Sequence, residues 1–373
     1  MNKFFTFMVL GLLCGGTGMH CSREKAPPEP PPKRIRVMVD SVGYATGPQQ
    51  MDALIPRINA ASGEERRQIL QLYKIDGQQP VPLVISPHDD YTYAGNLYPY
   101  ALQHLTSPTL LIFGVAHKAA QFEVADQLVF GSYTHWMGPY GEIPVSPLRD
   151  SLTAALPAQS FIINDSLQAM EHSIEAQLPF LQYYHTDFQI IPILVPYMKW
   201  RQMQALSTTM AENLNRIMEK RNWKWGEDLA FIISNDCVHY GDEGWGGRNF
   251  APYGATEEGY QQATNHDMNI ISECLIGPLD LQRIKRLLDY TVQPDNYREY
   301  AWTWCGRYSL PFGLLTAYHL NQKAHRMMLS GEMLRYATSV SDPPIPVDDL
   351  SMGANAPANL HHWVGYTAIA FHF

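Results

Sequence analysis

The sequence predicts an α/β fold in which helices cover both faces of a central sheet. Two observations predict this fold: short apolar runs rich in β-branched residues recur along the chain, and stretches with helical spacing lie between them. Continuous apolar strands are typical of a sheet buried on both faces. Two late segments are predicted as strands that could run antiparallel, so the sheet is expected to be mixed.

These elements follow one another along most of the chain. The predicted buried strands are VPLVIS from Val81, TLLIFG from Thr109, FQIIPILVP from Phe188 and LAFIIS from Leu229. The predicted helices include EHSIEAQLPFLQYY from Glu171, QMQALSTTMAENLNRIMEK from Gln202 and LPFGLLTAYHL from Leu310. The late strands are EMLRYATS and HHWVGYTAIAFHF.

The composition is that of a globular protein. The chain has 373 residues, of which 46% are hydrophobic and 17% are charged, so it can bury a large core. Its formal net charge is -9, and no block of lysine or arginine is long enough to follow a phosphate backbone, so no nucleic acid partner is expected. Residues 36–373 contain no second linker or repeat and are predicted to form one domain.

The N-terminus predicts export. The apolar run FFTFMVLGLL after Lys3 is too short to span a bilayer but typical of a signal peptide core. We therefore interpret residues 1–21 as a signal peptide of lipoprotein type with lipidation at Cys21, and residues 22–35 as a proline-rich tether. The protein would then be a membrane-anchored lipoprotein facing the periplasm or the cell exterior.

Two alternatives stay open in this reading of the N-terminus and the cysteines. His20 stands where a small residue usually precedes a lipidated cysteine, so a plain signal peptide and a soluble secreted protein are the alternative. Cys237, Cys274 and Cys305 remain after it, an odd number, so at least one thiol is unpaired unless it bonds another chain. Whether Cys237 pairs with Cys274 is not decided by the sequence.

Polar residues follow three of the predicted strands directly. His88 follows the first strand, His117 the second, and Asp236 and His239 the fourth. Ligands gather beyond the carboxyl ends of strands in open α/β sheets, so these side chains are expected to share one rim. The spacing of Asp236 and His239 would let the carboxylate orient the imidazole or join it at a metal. The alternative for each histidine is a surface or hydrogen-bonded core residue.

Two further segments carry candidate residues. Cys305 lies in the aromatic-rich turn WTWCGRYSLPFG before a helix, a setting that could shield a thiolate for a metal or simply bury a small apolar residue. In MEHSIEAQLPF, the spacing of Glu171, His172 and Glu175 predicts one shared helix face. The alternative for this segment is an ordinary solvated helix start.

These segments resemble, in the same order, the Memo family, whose bacterial members are called AmmeMemoRadiSam system protein B. That family is in turn similar to the LigB-type class III extradiol dioxygenases. The matching segments are SPHDDYTYAG, FGVAHK, EHSIEAQLPFLQY, SNDCVHYG and CGRYSLPFGLL, with SVGYATGPQQMDALI before them. The resemblance runs from about residue 40 to the end and implies a three-layer αβα sandwich with a mixed, mostly parallel sheet.

The resemblance also implies a metal pocket. Its metal ligands fall on His88, His117 and Cys305, and Asp236 and His239 complete the pocket, with His239 as the acid/base group. Two imidazoles and an anionic ligand suit iron(II), and iron is the expected metal. In the similar dioxygenases a carboxylate takes the third ligand position. A thiolate at this position is a softer ligand, which makes copper or zinc credible.

The chain departs from the family beside the first histidine, where Asp89 and Asp90 replace a small Ala-Gly pair. They could raise cation affinity, act as extra ligands, favour a cationic substrate, or point to solvent. Beside them, Tyr91 and Tyr93 are expected to line a substrate pocket. The predicted pocket also includes His172 and Glu175.

Two functions follow from the sequence. The first is a metal-dependent oxidoreductase resembling ring-cleaving dioxygenases, in which His239, oriented by Asp236, moves a proton. The second is a non-catalytic protein that keeps the pocket to bind a metal or a peptide. The expected ligand is accordingly a small molecule or a peptide, and a lipid anchor would make the membrane a further partner.

Overall fold

The structure is a computed structural model that describes Met1 and residues 32–373, apart from residues 76, 78, 325 and 326. The interpretations of residues 1–21 and 22–35 therefore fall outside the described residues, except at Met1 and at the end of the second segment. Residues Lys33–Phe373 form one compact unit, which begins slightly before the predicted boundary at residue 36.

Thirteen strands occur in the described residues. They are β1 (Ile35–Arg36), β2 (Leu83–Ser86), β3 (Thr109–Val115), β4 (Leu128–Phe130), β5 (His135–Gly138), β6 (Gly141–Pro144), β7 (Phe161–Ile163), β8 (Gln189–Val195), β9 (Leu229–Ser234), β10 (His239–Tyr240), β11 (Gly277–Pro278), β12 (Ser330–Thr338) and β13 (Trp363–His372). All four predicted buried strands and both late strands are among them.

The same part of the chain forms ten α-helices. They are α1 (Pro48–Leu72), α2 (Tyr91–Ala94), α3 (Tyr98–Leu102), α4 (Leu148–Ala155), α5 (Asp165–Met170), α6 (Leu178–Tyr184), α7 (Trp200–Arg221), α8 (Glu257–Cys274), α9 (Leu281–Thr291) and α10 (Ser309–Ala324). Among these helices, none is both long and apolar enough to cross a bilayer.

The main sheet is mixed, with parallel strands at its centre. Its strand order is β11-β12-β13-β2-β9-β3-β8-β4-β7, and β10 pairs with β13. The pairs β2–β9, β9–β3 and β3–β8 are parallel. The late strand β13 runs antiparallel to both β2 and β12, as predicted. A separate small sheet has the order β1-β5-β6.

Helices cover both faces of the main sheet, which confirms the three-layer prediction. Alternate residues of each central strand point to opposite faces. In β2, Leu83 and Ile85 pack with the core that contains apolar residues of α4, α7, α8, α9 and α10. Val84 packs with the other core, which contains residues of α1, α2, α3, α5 and α6. Since both faces are buried, the central strands carry uninterrupted apolar runs.

The segment that begins at Glu171 differs from its prediction. Helix α5 ends at Met170, the backbone of Glu171 is extended, and a short 3₁₀ helix starts only at Glu175. Glu171 and His172 therefore do not share a helix face with Glu175. The guanidinium of Arg36 donates to the backbone oxygen of Glu171, a contact between distant parts of the chain that a local helical pattern cannot report.

Candidate metal centre

The carboxyl ends of β2, β3 and β9 bring the predicted strand-end residues together. Strand β9 lies between β2 and β3, so the segments that follow these three strands meet at one edge of the sheet. The ring centroids of His88 and His117 are 5.2 Å apart. The turn before α10 adds Cys305, and one ligand atom each from His88, His117 and Cys305 lie within 4.8 Å of one another.

A second group of donors overlaps the first. One ligand atom each from Asp236, His239 and Cys305 also lie within 4.8 Å of one another. The His88 Nε2 atom is 3.4 Å from the Cys305 Sγ atom and 3.3 Å from the Asp236 Oδ2 atom. Because Cys305 belongs to both groups, the two candidate ligand sets lie next to each other and share the Cys305 sulfur.

Hydrogen bonds fix the tautomer of His88. Its Nδ1 atom is 2.7 Å from the Ser234 hydroxyl, and this hydroxyl donates its single proton to the Ser173 backbone oxygen, also at 2.7 Å. His88 Nδ1–H must therefore be the donor to Ser234, and Nε2 keeps its lone pair. Burial lowers the pKa of His88 well below its ordinary value, which keeps the ring neutral and available as a ligand.

A buried carboxylate orients His117. The His117 Nδ1 atom is 3.0 Å from Glu171 Oε2, and the Lys118 backbone N–H donates to Glu171 Oε1 at 2.8 Å. Burial raises the pKa of the Glu171 carboxyl, but His117, His172 and the Lys118 backbone N–H together outweigh it, and the pKa lies below the ordinary value. An ionised carboxylate behind a histidine holds the ring and makes Nε2 the free donor, as in many metal sites.

Backbone oxygens orient His239, and Asp236 does not. The His239 Nδ1 atom is 3.2 Å from the carbonyl oxygens of both Cys237 and Thr303. The predicted orientation of the His239 ring by Asp236 is therefore not found, whereas the alternative, that both residues join at a metal, agrees with the short distance between their ligand atoms. Asp236 instead accepts the backbone N–H of His88 at 2.9 Å and lies beside the His88 ring. Burial lowers the pKa of His239 to about 4, so its ring is neutral near pH 7.

Cys305 is a buried thiol held in the centre by its neighbours. Its side chain is 5% exposed, and its sulfur accepts the Asp236 backbone N–H at 3.1 Å. Burial, followed by the charge of Asp236, raises the pKa of the thiol well above its ordinary value. Without a cation the group is therefore protonated, and metal binding must displace that proton. All three cysteines in the described residues are free, so Cys237 does not pair with Cys274.

The turn that carries Cys305 is fixed by Asp267, a residue that the sequence did not single out. The indole N–H groups of Trp302 and Trp304 each donate to Asp267 Oδ1 at 2.7 Å. Asp267 Oδ2 accepts the Val238 backbone N–H at 3.2 Å. One buried carboxylate thus ties the Cys305 turn to the segment that carries His239. A lone acid within a helix gives no sequence signal for this function.

His172 lies at the centre, whereas the two added aspartates bond to residues of other segments. The His172 ring stacks on His117, with centroids 4.8 Å apart, and burial lowers its pKa to about 4. Asp89 accepts the Tyr366 hydroxyl at 2.6 Å, and Asp90 accepts the side-chain amide of Asn355 at 2.8 Å. Burial, followed by the Asp89 charge, raises the pKa of Asp90 to about 7. Asp90 is 3% exposed, which excludes the reading that it points to solvent.

Three residues predicted to line the substrate pocket have other contacts. Tyr91 is fully buried, and its hydroxyl donates to the Ala176 backbone oxygen at 2.7 Å. Tyr93 donates to the Ala356 backbone oxygen at 3.1 Å. Glu175 is fully buried and forms an ion pair with Arg36. Tyr91 and Glu175 therefore support the fold through these contacts, and their place in a substrate pocket stays a prediction.

Comparison with known proteins identifies the family of this chain. The Memo-like protein family model matches residues 43–344, which is most of the chain. This chain belongs to the Memo family. The matches to individual relatives are shorter. The chain spans about half the length of several curated relatives, for example 52% of the one from Sulfurisphaera tokodaii.

Three relatives illustrate the similarity within the family. A MEMO1 family protein of Sulfurisphaera tokodaii is 31% identical over 167 residues, or 42% of this chain. A MEMO1 family protein of Pyrococcus abyssi is 26% identical over 267 residues, which cover 68% of this chain and 79% of the relative. A MEMO1 family protein of Archaeoglobus fulgidus is 31% identical over 157 residues, covering 42% of this chain and 54% of the relative.

Proposed function

We propose that this Memo family member is a metal-dependent oxidoreductase that holds a transition metal through His88, His117 and Cys305. The observation that carries the proposal is the donor set. The Nδ1 atoms of His88 and His117 are hydrogen-bonded, which leaves their Nε2 atoms free next to a thiol. Two neutral imidazoles and a thiolate suit iron, copper or zinc, and iron is our first assignment.

The surrounding residues suit proton transfer. A reduced metal in this site would supply the capacity to activate dioxygen. His239, with Nδ1 held by two carbonyl oxygens, offers Nε2 as the proton acceptor for a substrate hydroxyl. Its low pKa keeps it unprotonated and ready at neutral pH. Asp236 positions the backbone of His88 and adds a carboxylate to the space.

A non-catalytic metal- or peptide-binding protein is the second candidate, and the narrow access to the centre favours it. His88 is 1% exposed and Cys305 is 5% exposed. The space that His117 and Cys305 line is only about 70 Å³, which is small for a substrate next to a metal. A protein that retains a metal without turnover would have the same geometry.

One comparison separates the two functions. The protein is purified without oxygen, its metals are quantified, and oxygen uptake is followed with a panel of catechols. We expect about one metal ion per chain, and oxygen uptake that His239→Ala abolishes while the metal stays bound. If His239→Ala loses oxygen uptake only because it also loses the metal, the acid/base role of His239 is contradicted. Tight metal with no uptake or redox cycling from any catechol would favour the binding protein.

His88→Ala tests the site itself. Removing a buried ligand should lower the metal content strongly, because each donor adds to a shared site. A parent protein without stoichiometric metal, or a His88→Ala variant with unchanged metal, would contradict both functions. Glu142→Gln is a suitable control because Glu142 pairs with the exposed Lys33 in another part of the molecule.

We further propose that the protein is exported and anchored to a membrane through Cys21. The support is the apolar N-terminal run and the proline-rich segment after Cys21. Cys21→Ala should release the protein from the membrane fraction, whereas Cys14→Ala should not. An unchanged membrane fraction in Cys21→Ala would contradict the anchor, and a soluble exported parent protein would favour the plain signal peptide.

A further inference from the structure

A larger cavity adjoins the narrow space at the metal centre. It has a volume of about 660 Å³, and its lining includes Arg248, Arg298 and Arg307. Tyr197, Tyr300 and Arg307 line this cavity and also the narrow space beside the metal ligands. The two spaces therefore adjoin at Arg307. A ligand in the larger cavity could place one end near Arg307 and extend the other towards the metal.

Arg307 is a buried cation that no carboxylate neutralises in the described part of the chain. The residue is 5% exposed, and no ion pair found in the described residues includes it. One terminal N–H donates to the Arg298 backbone oxygen at 3.0 Å, and the guanidinium carbon lies 3.4 Å from the Tyr300 ring centroid. The buried Nε–H has no hydrogen-bond partner in the structure. A buried charge without a counter-ion is unfavourable unless a ligand supplies one.

Arg36 shows how the same chain buries an arginine for structural reasons. Arg36 is 1% exposed, stacks on Trp136, and forms an ion pair with Glu175. Arg307 is also buried, at 5% exposed, and has a similar aromatic contact, but it lacks the carboxylate. Arg66, which is 6% exposed, also lacks a carboxylate, but its guanidinium donates to the side-chain oxygens of Gln103 and Asn59. Arg307 instead lines a cavity next to the metal centre, where a ligand can supply the counter-charge.

The other charges of the cavity also favour an anion. Arg248 pairs with Glu299 at 3.2 Å, and both side chains are about half exposed. Glu123 is the remaining acidic residue of the lining, against Arg298 and Arg307. The lining thus has an excess of positive charge in a chain whose formal net charge is -9. A cavity with a local charge opposite to that of the whole protein attracts ligands of the opposite sign.

We propose that Arg307 binds the anionic group, a carboxylate or a phosphate, of a small organic ligand whose other end reaches the metal centre. The proposal rests on the metal-dependent function above and names the class of ligand for that site. The planar guanidinium matches both oxyanions because it can donate two parallel hydrogen bonds. Arg307 is then a specificity-determining residue at the junction of the two spaces.

The first test compares three catechols that share the metal-binding head and differ in the charge of the side chain. The probes are 3,4-dihydroxyphenylacetate, neutral 4-ethylcatechol and cationic dopamine, titrated calorimetrically into zinc-loaded protein so that no oxidation occurs. We expect the anionic probe to bind roughly 10- to 100-fold more tightly than the neutral one, as a charge-assisted hydrogen bond allows. Equal or weaker binding of the anionic probe, including a preference for dopamine, would overturn the proposal.

Variants then assign the preference to Arg307. Arg307→Gln should bind the anionic and neutral probes about equally, and Arg307→Lys should keep part of the preference because it keeps the charge but not the planar fork. Arg286→Gln is the matched control, since it removes an arginine that is 52% exposed and does not line this cavity, and it should leave the preference unchanged. A preference that survives in Arg307→Gln would overturn the proposal. If Arg307→Gln does not fold, the relative affinities of the three probes for the unaltered protein decide whether the proposal stands.

A metal-free arm separates this proposal from the metal-dependent function. Phenylacetate and inorganic phosphate, which lack the catechol head, are titrated into chelator-treated protein and into its Arg307→Gln form. Weak binding that Arg307→Gln abolishes would support the anion site even if the metal content contradicts the proposed function. Whichever of the two anions binds more tightly shows whether the site prefers a carboxylate or a phosphate. Binding of neither anion, in a protein that also shows no preference among the catechols, would overturn it.

Discussion

Glu171 and Glu175 lie four residues apart in one motif, and both are buried, but they have different partners. Glu175 pairs with Arg36 and accepts the backbone N–H groups of Val39 and Asp40. Glu171 faces His117 at the metal centre. Burial of a carboxylate therefore does not reveal its role, because the role depends on whether the partner is a fixed cation or a candidate ligand.

The two carboxylates are also linked through Arg36. Its guanidinium donates to Glu175 and to the backbone oxygens of Glu171 and Gln168. The structural ion pair thus holds the backbone from which the Glu171 side chain reaches His117. We expect changes at Glu175 to affect mainly folding and changes at Glu171 to affect mainly metal binding.

The largest expected effect is on stability, in Glu175→Gln. Removing one partner of a buried ion pair leaves the other charge uncompensated, so the free energy of unfolding should fall by about 3 to 5 kcal/mol. Denaturant unfolding of the metal-free protein measures this loss. Glu142→Gln is the matched control, because its partner Lys33 is 61% exposed and an exposed pair contributes less than about 1 kcal/mol. Similar losses in the two variants would contradict the structural role of Glu175.

The next effect is on metal affinity, in Glu171→Gln. The amide keeps the size of the side chain but loses the charge that holds His117 and raises its basicity as a ligand. We expect the metal affinity to fall about 10- to 100-fold, as for other partners of metal-bound histidines. Competition with a chelator measures it, and folded Glu175→Gln is the comparison, which should lose less metal affinity than Glu171→Gln. A Glu171→Gln variant that loses stability but not affinity would reverse the two assignments.

The fold was predictable because its strongest signals are local. Central strands buried on both faces carry uninterrupted apolar runs, and α7 and α10 carry helical spacing, so their positions follow from the sequence. The same rule placed His88 and His117 at one sheet edge. The helix predicted from Glu171 failed because a distant guanidinium, that of Arg36, holds the Glu171 backbone in an extended conformation.

The orientation of the site residues was not predictable from spacing. Ser234 sets the tautomer of His88 across 146 positions of the chain, and Asp267 anchors Trp302 across 35 positions. Arg307 draws attention only because the structure shows that it lacks a carboxylate partner. Asp236 and His239 are close in sequence, but the turn directs the carboxylate to His88. Such contacts depend on the packing of whole elements and leave no local pattern.

A smaller effect concerns pH, and it separates the metal centre from the structural ion pair. Burial raises the pKa of Cys305, so the thiol is protonated above neutral pH and must release a proton when a metal binds. Apparent metal affinity should therefore rise about tenfold per pH unit between about pH 7 and about pH 8.5, and fall as the pH is lowered. His88 and His239 do not compete for protons in this window, because burial lowers their pKa values.

Chelator competition at several pH values, corrected for protonation of the chelator, measures this slope. Cys305→Ala should bind the metal more weakly and with little pH dependence, whereas Glu175→Gln should keep the slope of the unaltered protein. A pH-independent affinity in the unaltered protein would show that Cys305 does not bind as a thiolate.

The smallest expected effect is that of Ser234→Ala, which extends the comparison from the two glutamates to the two histidines. His117 is held by a carboxylate, whereas His88 is held by a neutral hydroxyl at 2.7 Å. A neutral hydrogen bond contributes about 1 kcal/mol, so Ser234→Ala should lower the metal affinity by less than about tenfold. Chelator competition on Ser234→Ala and Glu171→Gln in parallel shows which variant loses more metal affinity. The melting temperature of metal-free Ser234→Ala controls for lost packing. If Ser234→Ala costs more affinity than Glu171→Gln, the His88 tautomer controls metal binding more strongly than the charge behind His117.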